Sequence, residues 1–548
     1  MTSRHLNPLL LVGVAIAALV GMPVFSVLSN VLSGGTGATW SHLAATVLPD
    51  YIANTLLLCV TVGIGVIVVG VTSAWLTAMH EFPGRRIFAW ALVLPMAMPA
   101  YVLAYVYTDF LQFVGPLQTW LRDTFAWSRD DYWFPEIRSL GGAAAMFVFV
   151  LYPYVYLLSR TAFIERSSGM LEAARTLGLG PWQSFFRISL PLARPAVAAG
   201  ATLALMETLA DYGTVSYFGV QTFTTGIYRA WFSLGDRVAA AQLSAALLAF
   251  VVVLLLVEWR SRGRSRFHNT TGRRRQLAER RLAGGRAWLA TAACALPLCI
   301  GFVLPAALLL RLTLAESEMP LGAQFVTLAR NSFLLAGLTA FVALALAVLL
   351  AYGARLTKGV VAPALNRVVG LGYAVPGSVI AVGVLIPVTR LDHWLAATWQ
   401  NWSGENPGLL LTGGIAALVY AYLVRFLAVA LQSVGSSLGK ITHSMDDAAR
   451  SLGLGQAATL RRVHLPILRS SLFTAALLVF VDVMKELPAT LVMRPFDFDT
   501  LATQAYTLAA DERLAEAAAV SLAIVAVGLL PLIVLSQQIS RQSARRRG

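Results

Sequence analysis

Apolar runs of roughly 18 residues or more recur along the whole 548-residue chain, each long enough as helix to cross the ~30 Å hydrocarbon core of a bilayer. About twelve can be counted on that criterion. They lie at 9–28, 55–79, 89–113, 141–163, 195–217 and 238–257 in the first half, and at 288–310, 332–356, 368–388, 409–431, 470–492 and 517–535 in the second. Lipid supplies no hydrogen-bond partners, so each run is expected to be helical, the one open-chain form that pairs its own backbone. A mean hydropathy of +0.70, with 57% hydrophobic and 13% charged residues, excludes a soluble globular fold. The expected class is all-α and polytopic. Runs broken near Pro95, Pro99 and Pro376 are expected to kink or tilt.

The net charge of +15 does not indicate nucleic-acid binding, because the basic residues gather in alternate loops. Arg85 and Arg86 follow the second run, Arg166, Arg175, Arg187 and Arg194 follow the fourth, and ten arginines between 260 and 286 follow the sixth. On the positive-inside rule these loops and both termini face the cytoplasm. The first run lacks a small-residue cleavage pattern and reads as a retained span. Cys59, Cys294 and Cys299 all fall in apolar runs, where cysteine behaves as a small hydrophobe, so neither a disulfide framework nor a stable metal site is expected.

Two polar stretches carry the same pattern: "LEAARTLGLGPWQSFFRISLP" from Leu171 and "MDDAARSLGLGQAATLRRVHLP" from Met445. A shift of 275 places Ala173-Ala174-Arg175 on Ala448-Ala449-Arg450, Gly178 on Gly453 and Pro191 on Pro466, while a shift of 277 places Asn54 on Asn331 and Pro99 on Pro376. The chain therefore reads as two tandem six-helix units in parallel orientation. The first occupies 1–258 with its polar loop at 166–194, an Arg-rich cytoplasmic linker occupies 259–286, and the second unit occupies 287–548 with its loop at 440–469. Within each loop, helical spacing, an acid in the first turn and a Gly break predict a helix–turn–helix whose apolar groups need a partner.

Glu172-Ala173-Ala174, then Gly178, Ile188 and Leu190-Pro191, resembles the EAA loop by which permeases of ABC importers dock on their ATPase subunit. The second copy has Asp447 for Glu, followed by Ala448, Ala449, Gly453, and Val463 for Ile ahead of His464-Leu465-Pro466. The stretches "METLADYGTVSYFGVQTFTTGIYRAW" and "DVMKELPATLVMRPFDFDTLATQAY" are similar to the fused, two-half permeases of ferric-iron importers. That resemblance implies two type I importer permease units in a bacterial inner membrane. It also implies two copies of a separate ABC ATPase that consumes ATP and Mg, and a periplasmic or extracellular binding protein that delivers ferric iron. Glu172, Ala173, Ala174, Gly178, Pro191, Asp447, Ala448, Ala449, Gly453 and Pro466 would be the docking residues. The chain would bind no cofactor and perform no catalysis. "GSSLGKIT" from Gly435 has neither the glycine spacing of a phosphate-binding loop nor Ser or Thr after Lys440.

A shift of 275 also places Glu207 on Asp482 and Asp211 on Glu486, giving each fifth span two acids at i and i+4 on one helical face. Intramembrane carboxylates line pathways or pair with bases. Two readings stand: a route for a hard, oxygen-preferring cation, or structural pairs in which Lys485 neutralises Asp482 or Glu486. Tyr152, Tyr154 and Tyr156 are read as interhelix aromatics in preference to phenolate ligands. The alternatives for function are a permease for thiamine or another small solute, and a twelve-helix secondary transporter, which would not need two matched cytoplasmic loops.

Overall fold

The computed structural model describes residues 8–31, 37–166, 178–262, 280–315, 322–357 and 359–544. Among them eleven helices are long and apolar enough to span a membrane, or twelve with one bent pair counted as a span. The first half contributes α1 (Pro8–Val31), α2 (Leu48–Met79), α3 (Ala100–Leu111), α4 (Leu140–Arg166), α5 (Leu190–Ala210) and α6 (Arg237–Arg262). The second contributes α7 (Gly285–Ala315), α8 (Ala323–Leu356), α9 (Gly377–Ser403), α10 (Ala416–Leu438), α11 (Leu465–Met484) and α12 (Leu514–Ala544). The bent pair is the third span of the first half, where Arg85–Ala97 and Ala100–Phe125 meet at 92°. Pro99 caps α3 and Pro376 caps α9 in the same extended conformation, each just after a short 3-10 turn, so both prolines start a helix, and at Pro99 the expected kink is this 92° bend.

The helices are apolar on both faces. On α2, Leu57, Val60, Ile64 and Val68 are each more than half exposed, whereas Leu58, Val62 and Val66 on the opposite side are buried. An apolar stripe of that kind on the outside of the bundle suits lipid, not water. Inside, small residues set the helix spacing. A Cβ on Gly70 of α2 would stand 2.7 Å from Val155 Cβ of α4, and one on Gly200 of α5 would stand 2.7 Å from Val155 Cα, so three helices close around one valine.

The first helix of each half crosses to the other. α1 packs along α9, with Pro23 O 2.4 Å from where a Gly383 Cβ would be, and Tyr420 donates to Leu19 O at 2.5 Å. Reciprocally, α7 lies against the first half, where Tyr107 donates to Ile300 O at 2.6 Å. Equivalent sequence positions make equivalent bonds: Asn54 Nδ2 donates to Gln221 O at 2.9 Å and Asn331 Nδ2 to Asp499 O at 3.0 Å. Thr222 with Thr225 and Thr500 with Thr503 form matching capping boxes. Of the Arg-rich linker, 263–279 lie outside the described residues. Within its described part, Arg280 and Arg281 pair in parallel with the two residues that follow α2, His80 with Arg280 and Glu81 with Arg281.

Candidate functional site

The fifth spans do not run as the sequence suggested. Continuous helices over 195–217 and 470–492 were expected to carry each acid pair on one face. Instead α5 ends at Ala210 and α11 at Met484, between the two acids of each pair. Both spans also begin earlier, at Trp182 and Gln456, so their helical length is kept but moved toward the polar loops. The cause is a competing use for the second acid. Asp211 accepts from Thr214 N at 2.8 Å, Thr214 Oγ1 at 3.1 Å and Val215 N at 3.4 Å, and so caps the short helix Gly213–Tyr217. Glu486 does the same for Pro488–Met493, accepting from Ala489 N at 2.9 Å, Thr490 N at 3.1 Å and Thr490 Oγ1 at 2.7 Å.

The break nevertheless brings all four acids to one place. Glu207, Asp211, Asp482 and Glu486 line a cavity of about 110 Å³ between the halves, together with Arg425, Lys485, Tyr101, Tyr154 and Tyr373. Arg425 of α10 lies 3.4 Å from Glu207 Oε2 and 3.6 Å from Glu486 Oε1, joining one carboxylate of each half. Tyr373 donates to Glu207 Oε1 at 2.8 Å, and Lys485 Nζ lies 3.0 Å from Asp482 Oδ1. Lys485 thus neutralises Asp482, whereas Glu486 is served by Arg425. Of the three tyrosines in α4, Tyr154 reaches the cavity, Tyr156 donates to Ala89 O at 3.0 Å, and Tyr152 is fully buried away from the lining. Among the described residues no group of three or more His, Cys, Asp or Glu side chains is placed to hold a metal ion.

The second polar loop is a helix, His443–Ser451, a left-handed turn at Gly453 (φ 79°), and a short helix and π-turn leading into α11 with Pro466 in its first turn. Asp447 and Ala448 face outward, Asp447 pairing with Arg450, while Ala449 is buried. In the first loop Glu172, Ala173 and Ala174 lie outside the described residues. Gly178 has the same left-handed turn (φ 77°), Pro191 opens α5 in the same way, and Trp182 and Phe186 are exposed.

A family profile described as binding-protein-dependent transport system inner membrane component matches residues 66–262. The molybdenum transport system permease protein ModB of Escherichia coli is 31% identical over 204 residues, 35% of this chain and 84% of that one. The chain belongs to this permease family. The Fe(3+)-transport system permease protein FbpB 2 of Haemophilus influenzae is 24% identical over 494 residues, 89% of this chain and 90% of that one. The sulfate transport system permease protein CysW of Escherichia coli is 31% identical over 150 residues, 27% of this chain and 49% of that one. The protein is thus a multi-pass permease of the ABC importer class, a transport subunit.

Two features of the permease were not read from its sequence. Arg425 was passed over although a guanidinium inside an apolar run is itself a signal; its counterpart position in the first half is Val150, so the repeat comparison gave no prompt. The second is the anchor of the second loop. Arg355, at the end of α8, donates through Nε to Asp446 at 2.9 Å and also to Leu438 O and Ile441 O, each at 2.9 Å. His464 Nε2 meets the other Asp446 oxygen at 2.7 Å, and Tyr352 donates to Gln456 O at 2.8 Å. The first loop is held by rings at the corresponding place, with Trp75 of α2 packed 4.8 Å from Phe185.

Burial alone would raise the Asp446 carboxyl, but the bonds and charge of Arg355, with His464, outweigh it and hold the group below its ordinary range. A depressed folded-state value means that the anchor is fully stabilising above the usual ~3.9 of an unfolded Asp and is lost as pH falls through the lower folded value. Hydrogen-exchange protection of 443–464 should therefore hold from neutral pH down to about pH 4. Asp446→Ala should lower it by about 1–3 kcal/mol above about pH 4, because Arg355 is left without its carboxylate, and by progressively less in more acidic solution.

Proposed function

We propose that this permease imports ferric iron, handed over by a substrate-binding protein outside the membrane and driven by two copies of a partner ABC ATPase. The observation that carries the reading is the convergence of four carboxylates, two from each half, on one interface cavity. Similarity to the Fe(3+) permease along nearly the whole chain, both halves included, supports the same reading. The molybdenum and sulfate permeases favour a second reading, a tetrahedral oxyanion, but their similarity reaches only 35% and 27% of the chain. The paired loops 166–194 and 440–469, with matched left-handed turns at Gly178 and Gly453, support a repeat of one docking unit. ATP and Mg belong to the ATPase, whose closure would rock the halves between inward- and outward-open states.

Cells lacking the gene should lose uptake of radiolabelled iron, keep uptake of radiolabelled molybdate, and regain iron uptake when the gene is restored. Loss of molybdate uptake with iron uptake unchanged would replace the iron reading by the oxyanion one. Purified complexes should contain two ATPase chains per permease chain, and a ratio of one contradicts the docking assignment.

The inner-membrane orientation, with both termini in the cytoplasm, is supported by the arginine-rich 260–286 segment. α6 runs 26 residues, about 39 Å of helix, between Asp236 and that segment. With the native cysteines removed, Asp236→Cys should react with an impermeant thiol reagent in intact spheroplasts and Arg260→Cys only after permeabilisation. Reaction of both from outside reverses the topology.

A further inference from the structure

A second cavity, of about 310 Å³, lies in the first half near the start of α2 and ahead of α6, away from the arginine-rich segment. Tyr51, Tyr212, Ser216, Gln221, Tyr228 and Arg229 are among its lining. It adjoins the central cavity, where Tyr212 and Tyr228 stack at 3.7 Å: Tyr212 follows Asp211, and Tyr228 donates to the carbonyl of Pro488, two residues of the central lining. The two cavities differ in charge. The central lining holds four carboxylates and two cations, whereas Arg229 is the one ionised residue of the second lining among the described residues. Arg229 is exposed, so a solute can reach it. It interacts with the Tyr51 hydroxyl, a neutral group that leaves its charge in place. Asp236, the acid nearest to it in sequence, caps α6 by accepting from Val238 N at 3.1 Å and Ala239 N at 2.9 Å.

The second half treats the corresponding place differently. Asn54 donates to Gln221 O as Asn331 does to Asp499 O, each bond is followed at once by a threonine capping box, and Gly219 and Asp497, two residues earlier, share the left-handed conformation. Gln221 and Asp499 therefore hold equivalent positions. Asp499 pairs with Arg494, so the arginine there is neutralised from within the chain. The first half has a neutral amide in that position, and its arginine, Arg229, stands where the second half has Thr507. A guanidinium on a cavity wall that holds no carboxylate is matched by an anion from outside. Ser216 Oγ accepts from Tyr506 at 2.9 Å and keeps its own proton to donate, and the Gln221 amide adds a further donor. Donors from three chain positions around one positive charge suit a group with several oxygens. We propose that this cavity is a phosphate-class oxyanion site, with Arg229 as its charge and Ser216 and Gln221 as its neutral donors. The site is separate from the central cavity and does not depend on which solute that cavity passes. Free phosphate and a phospholipid headgroup offer the same chemistry, and the experiment tells them apart.

The test is equilibrium dialysis of radiolabelled phosphate against the full-length permease, stripped of lipid in a maltoside detergent. Phosphate should bind saturably, and Arg229→Gln should weaken it at least about tenfold, the scale of one charge-assisted hydrogen bond. Gln221→Asp places the second half's acid in the lining and should weaken it as much. Asn54 binds the backbone carbonyl of Gln221, a bond this variant keeps, so it decides the matter even where Arg229→Gln assembles poorly. Phosphatidylglycerol added in mixed micelles assigns the source: displacement of the bound phosphate upholds the site as one for a lipid headgroup, and retention upholds it as one for the free anion. Phosphate binding that is unchanged in both variants, or absent from the lipid-free protein, overturns the proposal.

Discussion

Gly453→Val should abolish most coupled transport, whereas Gly453→Asn should leave it nearly intact. The turn at Gly453 sits at φ 79°, and no atom lies within 4 Å of the place a Cβ would take, so the cost of a side chain there is one of backbone conformation and not of crowding. A β-branched residue in the left-handed region costs roughly 1–2 kcal/mol or more, whereas Asn visits it readily. This turn joins the helix His443–Ser451 to the segment that feeds α11, and Arg355, Asp446 and His464 fix it on both sides. Strain is therefore relieved by moving the outward-facing helix, which carries Asp447 and Ala448. Gly178 has the same conformation at φ 77° and the same open surroundings, so Gly178→Val should act on the first loop in the same way. The double Val variant should lower iron uptake per permease at least about tenfold, the equilibrium factor of 1.4 kcal/mol, and reduce the ATPase recovered with it, while the double Asn variant does neither. Normal uptake and normal ATPase recovery in the double Val variant would remove the docking role from both loops.

The apolar spans and the helix, turn and helix of the second polar loop could be read from sequence because each depends on local physics. Apolar length sets a span, and a Gly followed by a Leu-Pro pair sets a turn and a helix start. The ends of the fifth spans could not be read that way. Asp211 and Glu486 stand at helical spacing from Glu207 and Asp482, and that pattern holds only while the helix continues. What ends it is the capping of the next short helix by the second acid, and the signal was present as Asp211 followed by Thr214 and Glu486 followed by Thr490, an acid three or four residues ahead of a threonine that binds back to it. Arg425 belongs to a different class of omission. Its partners come from α5 and from the segment after α11, at sequence separations that no local pattern encodes.

The four acids should divide into two kinds, and not along the lines of the repeat. Glu207→Gln removes a charge from the cavity but keeps an acceptor oxygen for the Tyr373 hydroxyl, and Arg425 retains Glu486. The protein should therefore assemble, and iron uptake per complex should fall at least about tenfold for the loss of one carboxylate from a buried cation route. Asp482→Asn should fall further, because Lys485 at 3.0 Å loses its counter-ion and leaves a bare ammonium in the path of a cation. Asp482→Asn with Lys485→Gln should recover part of that loss. Asp211→Asn should express and transport nearly as the parent does, since Asn caps a helix about as well as Asp. Glu486→Gln should instead fail before transport is measured: two amides, a hydroxyl and Arg425 all point donors at its oxygens, and an amide nitrogen placed among them turns attraction into repulsion. Breaking such a buried arrangement costs about 3–5 kcal/mol, enough to cut the yield of assembled permease severely. Uptake normalised to assembled complex separates the classes. If Glu207→Gln and Asp482→Asn transport iron at the parent rate per complex, the carboxylates of both halves are packing elements and the cavity is not the route.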